Sequence, residues 1–158
     1  MKIELIVVGK TTDKNLDILI GEYTNRLKHY VNFSLTIQSE LKNTKGLTPE
    51  QQKEIEGEEL IHRFKDSDYV ILLDEHGEEY RSVDFAKYIE KSSITSQCSS
   101  IVFVIGGPYG FAKKVYNRAN HKISLSKMTF SHQMIRLLFV EQLYRAYTII
   151  NNQPYHHE

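Results

Sequence analysis

Apolar runs alternate with helical patterns along the whole chain, and this alternation restricts the fold more than any other feature. Lys2–Val8 reads as a buried strand (Ile3, Leu5, Ile6, Val7, Val8) stopped at Gly9. Lys14–Lys28 reads as a helix, with Leu16, Leu19, Ile20, Tyr23 and Leu27 at helical spacing and Asp13 as its N-cap. Phe33, Leu35 and Ile37 alternate with polar residues, the mark of a half-buried strand. After a polar loop, Thr48-Pro49-Glu50-Gln51 opens a charged helix that runs to about Phe64: a Thr cap, Pro at the first position and Gln at the third. Tyr69–Leu73 is a second strongly apolar strand, ending in Asp74-Glu75-His76-Gly77, and Ser82 caps a helix through about Lys91. Ile101–Ile105 is the third buried strand, followed by a short helix around Ala112–Arg118, a short strand Lys122–Leu125, and a long helix from Ser131 to about Ile150. Strand–helix alternation of this kind predicts an α/β fold: a mainly parallel sheet covered by helices. The chain shows no repeat, low-complexity tract or linker, so residues 1–158 read as a single domain.

The last helix carries a second constraint. Met134, Ile135, Leu137, Leu138, Phe139, Val140, Leu143, Tyr144, Ala146, Tyr147, Ile149 and Ile150 leave only a narrow polar strip. A helix apolar nearly all round is buried on more than one side. Its second side meets either a second subunit, making a homodimer, or another helix of the same chain.

Apolar runs such as Ile101–Ile105 fall far short of the ~20 residues of a membrane span. The N-terminus lacks the long apolar stretch of a signal peptide. Cys98 is the only cysteine, which excludes a disulfide within the chain and fits a cytoplasmic protein. The net charge is zero, but it is unevenly spread. Lys91–Val140 holds seven Lys and Arg and no acid, whereas Glu40–Glu90 holds fourteen acids and seven basic residues. A basic half suits a polyanion such as RNA; the alternative is a solvated surface with the acids folded nearby.

Two strand-to-helix loops lie in that basic half, where the carboxyl ends of parallel strands bind ligands. Gly106-Gly107-Pro108-Tyr109-Gly110 lets a ligand approach backbone donors, or forms a tight turn. It is neither a Walker A loop nor a dinucleotide-binding GxGxxG. In Leu125-Ser126-Lys127-Met128-Thr129-Phe130, hydroxyls and amides suit an adenine or ribose, and Leu125, Met128 and Phe130 a flat ring. The plain alternative is helix capping by Thr129 or Ser131 with Met128 and Phe130 in the core, and the loop by itself favours that alternative. The seven histidines show no metal-ligand spacing, so no metal is expected. No G-x-S-x-G accompanies them, and Asp74 and Glu75, adjacent at a strand end, point to opposite sides.

Taken together, Ile6–Lys10, Phe103–Gly110, Ser124–Met134, Arg136, Glu141–Ala146 and Pro154-Tyr155-His156 resemble the RlmH family, end to end. These are SPOUT-class methyltransferases that modify a pseudouridine of large-subunit ribosomal RNA. The resemblance implies a SPOUT-type α/β fold with a C-terminal trefoil knot, a homodimer, and S-adenosyl-L-methionine as methyl donor. It implies methylation at N3 of a pseudouridine in the helix 69 stem-loop of 23S rRNA, within assembled 70S ribosomes. By resemblance, Leu73, Gly106 and Leu125, Ser126, Lys127, Met128, Thr129 and Phe130 hold the donor. The Tyr155-His156 tail is similar to the family's terminal motif, implied to lie near the partner's donor site. Here it ends in His157-Glu158 where many relatives carry Lys or Arg. Arg136, on the apolar flank of the last helix, is assigned to an RNA phosphate or the dimer interface, while Arg145 pairs with Glu141. The N3 proton must be removed, and His156 and His132 are the candidate acceptors. The alternative is that both contact RNA or cap structure while solvent takes the proton. Two other functions remain open: a related SPOUT methyltransferase acting on tRNA, and a ribosome-binding protein without catalysis.

Overall fold

Five of the seven residues of strand β1 (Lys2–Val8) are aliphatic, and they do not all face one way. Ile3, Leu5 and Val7 join one apolar cluster, and Ile6 joins another. The same split recurs in β3 (Asp68–Glu79), with Ile71 opposed to Val70 and Leu72. It recurs in β4 (Ser100–Ile105), with Ile101, Phe103 and Ile105 opposed to Val102 and Val104. Strands buried on both faces read as near-continuous apolar runs, and they demand helices above and below. The computed structural model supplies both layers and describes residues 1–95 and 97–158.

The described strands, with β2 (Asn32–Gln38) and β5 (His121–Ser124), form one parallel sheet in the order β2-β1-β4-β3-β5. Helices α1 (Lys14–Leu27), α3 (Ser82–Thr95) and α5 (Met134–Ile150) cover one face, contributing Ile20, Leu27, Phe85, Ile89, Phe139 and Leu143 to its core. Helices α2 (Pro49–Arg63) and α4 (Lys113–Arg118) cover the other through Leu60 and Val115. This is the α/β architecture expected from the alternation. Two of the expected caps form: Asp13 Oδ1 accepts from the backbone N–H of Asn15 and Leu16, and Thr48 and Gln51 close a reciprocal capping box.

Three local expectations need correction. First, β3 does not end at Leu73. It bulges through Asp74–Gly77 and rejoins β5, so that Leu73 and Glu78 both pair with Ile123. The bulge brings backbone against backbone: a Cβ on Gly77 would lie 2.6 Å from Ile123 N and C, so glycine is required there. Second, Ser82 begins α3, but its hydroxyl donates to Gln142 Oε1 on α5 at 2.8 Å. Third, α5 starts at Met134, not Ser131. Gln133 at its N-cap position cannot cap it, because its amide is spent on the loop after β1: Oε1 accepts from Thr12 N–H at 2.9 Å, and Nε2 donates to Lys10 O at 3.1 Å. Helix α5 finds much of its cover within its own chain, between α1 and α3, one of the two settings its sequence left open. Leu137, Leu138, Ile149 and Ile150 remain half-buried on it.

Candidate active site

The carboxyl ends of β3, β4 and β5 open onto one cavity of about 660 Å³, within the 300–1,000 Å³ usual for small-molecule sites. Its first wall is the Ile105–Phe111 turn after β4, and its second is Ile123–Ser126 with Met128–His132. The bulge of β3, Leu73–His76, closes a third side, with Tyr116 from α4 and Lys53 from α2 at the rim. Of the residues singled out from the sequence, Leu73, Gly106, Leu125, Ser126, Met128, Thr129, Phe130 and His132 meet here. Lys127 is exposed and lies outside the lining, as do Arg136, Tyr155 and His156.

The second wall is held by its own hydroxyls. Ser124 Oγ donates to Ser126 O at 2.8 Å, and Ser126 Oγ accepts from Met128 N–H at 2.9 Å. Thr129 Oγ1 donates to Glu75 Oε2 at 3.2 Å, tying this wall to the β3 bulge. Helix capping explains only part of the loop: Ser131 Oγ accepts from Met134 N–H, but Thr129 is engaged elsewhere. Burial of the two apolar residues does not explain it either, because Met128 is 76% and Phe130 41% exposed. Two large apolar side chains held open beside a cavity are poised to cover something flat and apolar.

The β3 bulge supplies the charge. The hydroxyl of Tyr116 donates to Asp74 Oδ2, while Asp74 Oδ1 accepts from His76 N–H at 2.8 Å. Burial, then the Asp74 carboxylate, push the Tyr116 phenol above its usual range, so it remains a donor at neutral pH. Lys122 Nζ lies 5.4 Å from the centre of the Tyr116 ring. The cavity thus joins apolar walls, backbone-rich turns and two carboxylates. That mixture fits a ligand with a flat heterocycle, hydroxyls and positive charge, and so fits S-adenosylmethionine. The sequence reading set Asp74 and Glu75 aside because adjacent residues at a strand end point to opposite sides, but β3 bulges there and both residues line the same cavity. That reading passed over Tyr116 because a lone aromatic in a short helix carries no signal.

Arg136 is the clearest correction at residue level. Its side chain is fully buried, not displayed to a phosphate. Nη2 donates to Val8 O at 2.8 Å and Nη1 to Gly9 O at 2.9 Å and Thr11 Oγ1 at 3.1 Å, while Nε donates to His132 O at 3.0 Å. With Gln133 it clasps the loop after β1 to the start of α5.

The tail lies on α5. Tyr155 stacks edge-on against Tyr144 at 4.8 Å and donates to Glu141 Oε1 at 2.9 Å. Arg145 bonds Glu141 Oε1 at 2.6 Å, as the i,i+4 spacing predicts, and its Nη1 lies 3.1 Å from His156 Nδ1. A guanidinium is only a donor, so Nδ1 accepts and the proton of a neutral His156 sits on Nε2. Among the described residues, no group of three or more His, Cys, Asp or Glu could hold a metal ion, and no helix is long and apolar enough to cross a membrane.

Residues 1–156 match the family described as "Predicted SPOUT methyltransferase". The full chain is also similar to curated proteins named ribosomal RNA large subunit methyltransferase H. It is 58% identical to that of Phocaeicola vulgatus, 57% to that of Bacteroides fragilis and 51% to that of Flavobacterium johnsoniae. Each alignment spans 158 residues and all of both chains.

Proposed function

Because the chain belongs to the SPOUT methyltransferase family, we propose that it moves the methyl group of S-adenosylmethionine to N3 of a pseudouridine in helix 69 of 23S rRNA, within assembled 70S ribosomes in the cytoplasm. The observation that carries this reading is the full-length identity of more than half to proteins named for ribosomal RNA methylation. The cavity supports it, because the loops that resemble the family's donor-binding segments form two of its walls. The donor would supply an electrophilic methyl on a sulfonium. The chain's own residues bind and orient: Leu125, Met128 and Phe130 against the flat ring, and the Asp74–Glu75 rim beside the polar and cationic parts. In-line displacement depends above all on such positioning.

His132 lines the cavity and is the proposed acceptor of the N3 proton; His156 anchors the tail. The homodimer belongs to this proposal, with the half-buried apolar residues of α5 as the contact, as does the trefoil crossing of the C-terminal segment. Methyl transfer from labelled donor tests the substrate directly. Label should enter 23S rRNA of 70S ribosomes and not free subunits or tRNA; label in tRNA alone overturns the assignment. In the same assay His132→Ala should lose about a hundredfold or more, the usual scale of general-base loss, while His156→Ala stays within a few-fold of wild type. The reverse order rejects the assignment of roles.

A further inference from the structure

Helix α2 reads from sequence as a strongly charged helix, and one of its carboxylates turns inward. Gly57 on α2 is buried against α4: a Cβ there would lie 3.0 Å from Ala112 Cβ and 3.2 Å from Val115 Cγ2. That close approach brings the preceding residue, Glu56, up to the turn after β4. Glu56 Oε1 accepts from Gly107 N–H at 3.1 Å, and a Cβ on Gly107 would lie 2.7 Å from Glu56 Oε2. From the other side, Gln38 Nε2 at the end of β2 donates to Glu56 O at 3.3 Å, fixing the helix at that level. Glu56 itself does not line the cavity, whereas Gly106, Gly107 and Gly110 do.

The contact is costly to keep charged. Burial raises the Glu56 carboxyl above its ordinary range, and the negative charges of Glu59 and Glu40 add to that, while the Gly107 N–H opposes it. A half-buried carboxylate beside two like charges is retained where its hydrogen bond does something a neutral helix surface would not. We propose that Glu56 is a positioning residue for methyl transfer: by gripping the Gly107 amide it sets the Gly106–Gly110 turn against the methyl donor. This rests on reading the cavity as the donor's site. Glu56 acts through the turn and touches neither donor nor acceptor.

The test compares Glu56→Ala with Glu56→Gln in the full-length protein. Glu56→Ala should raise the Kd and KM for S-adenosylmethionine about tenfold, the scale of one hydrogen bond to a charged acceptor, with kcat within about twofold. Glu56→Gln keeps an acceptor oxygen in place and should recover to within about threefold of wild type. Gly107→Ala, whose methyl would press on the Glu56 carboxylate, should reproduce the defect. Donor affinity unchanged in Glu56→Ala overturns the proposal, and so does a Glu56→Gln defect equal to that of alanine. Protection of the Gly107 amide from hydrogen exchange reads the contact without any donor. It should fall in Glu56→Ala and persist in Glu56→Gln, and equal protection in all three proteins overturns the proposal too. If wild type binds no S-adenosylmethionine, the functional reading has failed, and the exchange measurement still judges the grip of Glu56 on Gly107.

Discussion

Replacing Arg136 with methionine separates two accounts of that residue. In the structure its guanidinium is fully buried and serves four acceptors, of which the carbonyls of Val8 and Gly9 are reached by buried hydrogen bonds of 2.8 and 2.9 Å. Methionine fills a similar volume but offers no donor. Each buried acceptor stripped of its donor costs about 1–3 kcal/mol, so two cost roughly 2–6 and centre near 4. The bonds to Thr11 Oγ1 and His132 O are less enclosed and add little. Set against a typical domain stability of about 5–15 kcal/mol, a loss near 4 is severe. In a chain of this size it lowers Tm by roughly 8–16 °C, at about 2–4 °C per kcal/mol. The assay is thermal or urea unfolding of wild type and Arg136→Met at one fixed protein concentration, because any association shifts apparent stability. Alongside it, binding to 70S ribosomes is measured across salt concentrations. If Arg136 instead neutralised a phosphate, the variant would melt like wild type and bind ribosomes more weakly, with a salt slope shallower by about one unit. An unchanged Tm with that altered slope refutes the clasp.

Two further substitutions probe the frame of the site. Gly77→Ala places a Cβ 2.6 Å from the Ile123 backbone. Overpacking of that kind costs about 1–3 kcal/mol, so Tm should fall by roughly 2–12 °C, and a scan that overlays wild type would contradict the bulge geometry. Glu56→Gln should show a pH-dependent stability difference. Folded Glu56 holds its proton above the ordinary 4.5, so wild type gains stability as pH falls through the raised value toward 4.5 and lacks that gain at neutral pH. The amide has no proton to gain. The variant should therefore be the more stable protein at pH 7, and its advantage should vanish below about pH 4.5. Urea midpoints at both pH values check the sign, and an advantage that grows on acidification refutes the burial argument.

How much of this was legible in the sequence depends on the range of the interactions. The doubly covered parallel core could be read because Ile3–Val8, Tyr69–Leu73 and Ile101–Ile105 carry buried apolar residues on both faces, and only a sheet covered twice asks for that. The caps at Asp13 and Thr48 could be read because their partners lie two or three residues away. The ligand loops could be located, though not their walls. Whether Met128 and Phe130 enter the core depends on where β3 passes, and its bulge is fixed by a backbone contact of Gly77 with Ile123, 46 positions along the chain. Arg136 misled for the same reason. An arginine on the flank of an apolar helix looks like a surface cation until the carbonyls of Val8 and Gly9, about 128 residues earlier, are found pointing at it.

These distant contacts share a pattern that bears on function. The segment from Ser126 to Arg136 contains most of the second cavity wall and contributes almost nothing to either apolar cluster. It is fixed by directional bonds at three points: Thr129 to the β3 bulge, and Gln133 and Arg136 to the loop after β1. The first wall is held likewise, by Glu56 on Gly107. A site built this way stays open while the core beneath it is closed, because hydrogen bonds fix loop geometry without filling space. It also follows that a wall can be lost while the sheet survives. Each clasp spans elements far apart in sequence, so a single substitution at Thr129 or Glu56 can loosen its wall with little effect on β1, β3 and β4, whose cohesion comes from their two buried faces.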